Sequence, residues 1–266
     1  MNPPPFETAP DATVLRADAN GVTTLTLNRP AQFNAINAAM LRELQAELDA
    51  IAGDDSVRVI VLAGAGRAFC PGHDLKEMLT NSTEEFIGEL FRRCCDVMLT
   101  LRRLPQPVIA KVRGIATAAG CQLVAAADMA VAAADARFAT SGINFGLFCA
   151  TPGVPVSRNI AAKRAFEMVM TGEFIDAPTA LAWGLVNRIA SPESLDAEVS
   201  ALANVLLAKP RRVLAIGKRF FYEQLEQNTV DAYANATSVI TQNMLGEDAQ
   251  EGIGAFVAKR KPRWDD

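Results

Sequence analysis

The chain has 266 residues and a net charge of −4, with half of its residues apolar and 21% charged, which places it among globular rather than disordered proteins. That charge offers a polyanion no suitable field, so no nucleic-acid partner is expected, and no apolar run approaches the ~20 residues of a membrane span. Five cysteines without a C-x-x-C pair and a single histidine, His73, leave zinc no obvious ligand set and point to a reduced compartment, cytoplasm or organelle matrix.

Residues 1–12, with "MNPPPFETAP", read as a loose tail lacking the basic and apolar stretches of a secretory signal. "VTTLTL" (22–27) alternates with the two-residue period of a half-buried strand and stops at "NRP". Asn37 caps a helix over about 38–52, with Met40, Leu41, Leu44, Leu48 and Ile51 on one face. "VRVIVLAGAG" reads as a buried strand entering a glycine loop, and a long helix over 83–103 ends at "LPQP". "VIAKVRGIA" reads as the next strand, leading into "TAAGCQLVAAAD", and "MAVAAAD" and "ARFAT" as short strands after it. Helices then dominate, over about 161–170, 178–182, 194–207, 210–226, 229–245 and 248–258. Strands and helices alternate to about residue 190, and helices alone follow. The fold class is α/β, with an all-helical C-terminal part that has little sheet to pack on and calls for a neighbouring subunit.

Gly64 and Gly66 after a strand suggest G-x-G-x-x-G, but Phe69 stands where the third glycine belongs, so a dinucleotide site is not supported. No phosphate loop and no G-x-S-x-G occur. The two loops at 64–74 and 114–120 are strand-to-helix turns of small residues, which leave backbone N–H groups unpaired at a helix start. Two such loops side by side can grip one oxygen, stabilising a carbonyl as it becomes an enolate or tetrahedral oxyanion. Bulky side chains there would bar substrate from the backbone, a physical reason for "ATAAG".

"AFCPGHDLKEM", "VRGIATAAGCQLVAAADMAVAAADARFA", "MTGEFIDAPTALAWGLVNRI" and "QEGIGAFVAKRKPRW" follow one another in an order that resembles the crotonase, or enoyl-CoA hydratase/isomerase, superfamily along nearly the whole chain. Within it, "GHDLKE", "ATAAGCQLVA" and "NFGLFCATPGV" resemble the enoyl-CoA hydratase domain-containing protein 3 group. The resemblance implies a crotonase-like spiral of ββα units with an acyl-CoA-binding core over 13–195. It also implies a helical region over 196–266 that builds homotrimers or hexamers. The ligand would be a coenzyme A thioester, with no permanently bound cofactor and no metal. Its carbonyl would sit between the N–H groups of His73 and Ala119; Ala68, Cys70, Leu75 and Lys76 would lie along the CoA, and Lys259 and Lys261 near its phosphates.

Hydratases of this family use two glutamates, and their positions here carry Gln122 and Gly142, neither of which can titrate. No Asp or Glu occurs over 97–127 or 136–166. A positioned acid or base contributes typically ~10² to 10⁴ in rate, so efficient hydration is not expected. Three readings follow: enolate chemistry without glutamates, acyl-CoA binding without turnover, and weak hydration with water held by Gln122. Thr140, Ser141 and Asn144 are candidates to hold an anion or water, and Glu84, Glu85 or Glu89 to replace a missing acid. The His73 ring is expected to pack while its backbone N–H acts. Asp74 and Asp128 are expected to be structural, Cys70 and Cys121 to be apolar packing, and Trp183 to be core or interface.

Overall fold

The computed structural model describes residues 12–264, so the tail expected over 1–12 lies outside the described residues up to position 11. β1 (Val14–Ala19) and β2 (Val22–Leu27) form a hairpin turning through Asn20 and Gly21, both at positive φ, the conformation of a two-residue turn matched to strand twist. α1 (Ala38–Ala52) begins where Asn37 accepts a hydrogen bond from Met40 N and buries the five residues expected of it. β3 (Val59–Gly64), α2 (Leu75–Thr80), α3 (Glu84–Arg103) and β4 (Val108–Val112) follow. β5 (Ile115–Thr117), α4 (Ala119–Ala126), β6 (Met129–Ala133), β7 (Arg137–Ala139), α5 (Ala150–Asn159), α6 (Ala162–Thr171), β8 (Ile175–Asp176), α7 (Ala177–Trp183) and β9 (Arg188–Ala190) complete the mixed part. α8 (Leu195–Leu207), α9 (Arg211–Gln224), α10 (Thr229–Met244) and α11 (Glu247–Val257) end the chain.

Six strands form one sheet in the order β1-β2-β3-β4-β6-β9, parallel except for β1; β5, β7 and β8 form a second, small sheet. β3 is buried along nearly its whole length because both its faces are covered. Ile60 and Leu62 face the core shared with α1, α3 and α4, whereas Val59 and Val61 pack with Leu195, Val199, Leu202 and Ala203 of α8.

One expectation shifts. "VIAKVRGIA" is two strands, because Gly114 (φ +64) turns the chain out of the main sheet; a Cβ there would lie 2.1 Å from the Arg67 carbonyl oxygen. In the helical region expected from 196, α8 packs against the sheet. No residue of α9 or α10 is buried and only Ala255 of α11 is, so these helices have almost no core of their own. Phe221, Leu225, Val230, Tyr233, Leu245 and Phe256 stand exposed on them. A polar clasp holds α9 to the body: Asp128 pairs with Lys218 at 2.7 Å, accepts from Tyr222 Oη at 2.7 Å, and accepts from Val108 N at 2.6 Å. Burial pulls the Lys218 pKa down, against the pull of Asp128.

Candidate active site

The loops after β3 and β5 are bound to each other through their backbones. Cys70 N donates to the Ile115 carbonyl and Thr117 N donates to the Cys70 carbonyl, each at 3.0 Å. On the other flank Ile36 N donates to the Gly72 carbonyl and Asp74 N donates to that of Ile36, both at 2.8 Å. Pairing of this form uses the residues on either side of His73 and turns the His73 N–H away from Ile36, where it meets no acceptor among the described residues. Ala119 opens α4, so its N–H is one of the orphan donors of a first helical turn.

Close contact between the loops brings Gly72, the residue before His73, against Ala118 and Ala119. A Cβ on Gly72 would lie 2.9 Å from Ala118 Cβ and 3.4 Å from Ala119 N, and one on Gly120 would strike the Cys70 carbonyl oxygen at 2.0 Å. Ala118 itself sits at φ 50, ψ −120, a region that favours glycine and costs an alanine on the order of 1 kcal/mol or more. Its own N–H is held by the Ala139 carbonyl at 3.0 Å, which fixes the turn that aims Ala119.

Both residues line a cavity of about 610 Å³. Its walls are mostly apolar, drawn from Met78, Phe91, Ile115, Phe145, Phe148 and Phe174 among others. Among the described residues, His73 and Cys149 are its only titratable side chains, and no carboxylate, lysine or arginine lines it. The Thr117 and Ser141 hydroxyls, 2.8 Å apart, form a hydrogen-bonded pair in the wall.

The His73 ring stands edge-on to Phe91 at 5.1 Å, with both nitrogens buried and without a hydrogen bond. Burial pulls its pKa down to about 4, against a smaller opposite effect of the Ile36 backbone, so the ring is neutral at pH 7. Gln122 lies one turn beyond Ala119, buried outside the cavity wall, its Oε1 lacking a partner. Gly142 is in the wall, but a Cβ there would meet the Leu147 carbonyl oxygen at 2.5 Å and Cys149 Sγ at 2.8 Å. Its N–H points at the same sulfur, 3.2 Å away.

Ser141 and Asn144 reach the cavity; Thr140 does not, its hydroxyl donating to the Met168 carbonyl at 2.8 Å. Leu75 is in the wall and Lys76 is exposed beside it on α2. Ala68 is buried with its carbonyl accepting from Asn34, and Cys70 has both backbone groups engaged within the protein. Lys259 and Lys261 are exposed beyond α11, outside the wall. The acids considered as replacements stay out of the cavity: Glu84 and Glu85 are exposed at the start of α3, and Glu89 pairs with Arg92 and Arg93 at 2.6 Å. Asp74 caps α2 and pairs with Arg29 at 2.9 Å. Burial pushes the Cys70 and Cys121 thiols up to about 12, which makes them poor nucleophiles. Trp183 ends α7 with Arg164 over its ring at 5.0 Å, packed against the core.

The sequence reading did not single out Thr117, Phe91 or Cys149. Their only signal was position: Thr117 two residues before Ala119, and Cys149 in the apolar, aperiodic run "INFGLFCA".

Residues 17–266 match the enoyl-CoA hydratase/isomerase family model. The chain belongs to that family. It is 42% identical over 252 residues to enoyl-CoA hydratase domain-containing protein 3, mitochondrial, of Xenopus laevis, covering 95% of this chain and 85% of that protein. A crystal structure of an enoyl-CoA hydratase from Mycobacterium smegmatis superposes with a TM-score of 0.94 at 54% identity, over 96% of this chain and 99% of the other. The human enoyl-CoA hydratase domain-containing protein 3 structure superposes with a TM-score of 0.92 at 40% identity, over 95% and 100%. The fold is the crotonase fold in each case, and among the described residues no cluster of three His, Cys, Asp or Glu is arranged for a metal ion.

Proposed function

We propose that this protein binds acyl-CoA thioesters with the carbonyl oxygen between His73 N–H and Ala119 N–H, and stabilises the enolate without the two glutamates of a hydratase. One observation supports the reading: His73 and Ala119, whose backbone N–H groups have no partner among the described residues, sit on loops in close contact at Gly72 and Gly120 and line one apolar cavity. Preorganised donors of this kind act at no reorganisation cost when charge develops on the oxygen, each worth on the order of 10² to 10³ in rate. Ala68, Cys70, Leu75 and Lys76 are assigned to the CoA side, with the backbone of Leu75 and Lys76 the more accessible part. The exposed apolar face of α9 to α11 is assigned to trimer or hexamer contacts. Five free thiols fit a reducing compartment, cytoplasm or organelle matrix.

A second reading, binding without turnover, is favoured by the lack of any carboxylate in the wall among the described residues. Solvent exchange separates the two. Acyl-CoAs incubated with the protein in deuterated buffer should gain α-deuterium, and Ala119→Val, which crowds the donor loop, should slow that gain by 10²-fold or more. Tight thioester binding with no exchange would establish the binding protein instead. Rapid hydration of enoyl-CoA would overturn both and make Gln122 sufficient to hold the attacking water.

A further inference from the structure

We propose that Phe174 is a specificity-determining partition: its ring ends the apolar cavity against a charged recess and sets the longest acyl chain that gains by entering. This rests on the thioester reading above and adds to it the chain-length class of the substrate.

Among the described residues, Phe174 alone lines both the apolar cavity of about 610 Å³ and a neighbouring recess of about 510 Å³. The recess has a different chemistry, with Asp135, Arg137 and Asp176 in its wall. From that side the Arg137 guanidinium stands over the Phe174 ring, 5.3 Å from its centroid. Strand order puts the ring across the cavity from the CoA side. Cys70, in the loop that leads through His73 to α2, bridges to Ala116 of β5; β5 pairs with β7, β7 with β8, and Phe174 directly precedes β8. Neighbouring strands lie about 4.8 Å apart, so β8 is roughly 10 Å from the strand that leads to Ala119. A thioester with its carbonyl at Ala119 and its CoA along α2 therefore has Phe174 ahead of its acyl chain.

What lies behind the ring decides the limit. Each methylene moved from water into an apolar cavity tightens binding by about 4-fold. A methylene pushed past Phe174 meets two carboxylates and a guanidinium, displaces their water and gains nothing comparable. Asp176 is also fixed in place, because its carboxylate caps α7 by accepting from Thr179 N at 2.9 Å. The ring itself is 37% exposed and stands on the short connection between α6 and β8, so replacing it opens the partition without emptying the core.

The test measures dissociation constants for free coenzyme A and for straight-chain acyl-CoAs from butyryl to palmitoyl. In the native protein affinity should rise by about 4-fold per methylene up to a break, beyond which added methylenes bring no gain. Phe174→Ala should carry the rise on to longer chains and so increase the ratio of long-chain to short-chain affinity by 10-fold or more, with Phe174→Leu between the two. Affinity that climbs without a break to palmitoyl-CoA in the native protein, or a break left in place by Phe174→Ala, would overturn this inference alone. So would an equal weakening of every chain length and of free coenzyme A, which would put the ring beside the CoA instead of the chain end. No thioester binding at all would overturn the proposed function with it.

Discussion

The two positions that the family resemblance assigns to glutamates have departed in different ways. Gln122 keeps a long side chain on an intact helix, one turn from the Ala119 donor, and differs from glutamate by one atom type. Gly142 has neither a side chain nor the room for one, since a carbonyl oxygen and a sulfur occupy the direction a Cβ would take. At the first position only the chemistry differs from a glutamate; at the second the geometry excludes one. An acid could return to the first position by one substitution, whereas the second would need the 141–149 segment to be rebuilt.

Substitutions separate the two cases, and the largest effect belongs to Gly142→Glu. It forces side-chain atoms into backbone and adds a charge beside an apolar wall, so we expect a loss of about 3 kcal/mol or more in denaturant unfolding, with no hydratase activity gained. An unfolding midpoint equal to the native one would show that the segment yields easily. Gln122→Glu should fold but cost about 2 kcal/mol at neutral pH, because burial without a cation raises the carboxyl's pKa. A raised folded-state pKa sets the sign: the cost is fully present above that pKa and disappears as pH falls below about 4, the unfolded range. Unfolding measured at pH 7 and pH 5 should therefore show a smaller penalty at pH 5. Gly142→Ala isolates the steric part, at roughly 1 to 2 kcal/mol. Smallest and opposite in sign, Gln122→Met should gain about 1 kcal/mol by removing the unpartnered Oε1 at similar volume. A loss there would reveal a bound water that satisfies the amide.

The parts of the fold that were legible are those governed by local rules. The five-residue apolar face of α1, its Asn37 cap and the alternation of β2 describe their own environments, and the structure places them accordingly. β1 went unread although Asn20-Gly21 announces its hairpin, because "VLRADA" is too polar toward its end to look like a strand; the structure leaves that end exposed. α5 was missed for the opposite reason, since Pro152 and Pro155 argue against a helix that tertiary contacts through buried Pro152 and Val156 nevertheless hold. Within the cavity, the close approach of the 64–74 and 114–120 loops could be inferred because small residues are required wherever backbones meet. The wall could not: its residues come from separated segments, and Cys149 fills the space beside Gly142 only through a turn that nothing in their spacing prescribes.

The Asp128 clasp ties together two motions that would otherwise be independent. One carboxylate holds Lys218 and Tyr222 of α9 and the first N–H of β4, the strand that runs through Gly114 into the loop bearing Ala119. Moving α9 away would separate the Lys218–Asp128 pair and the Tyr222–Asp128 hydrogen bond from the carboxylate that also holds β4. Where α9 sits and where β4 starts are thus coupled through one carboxylate.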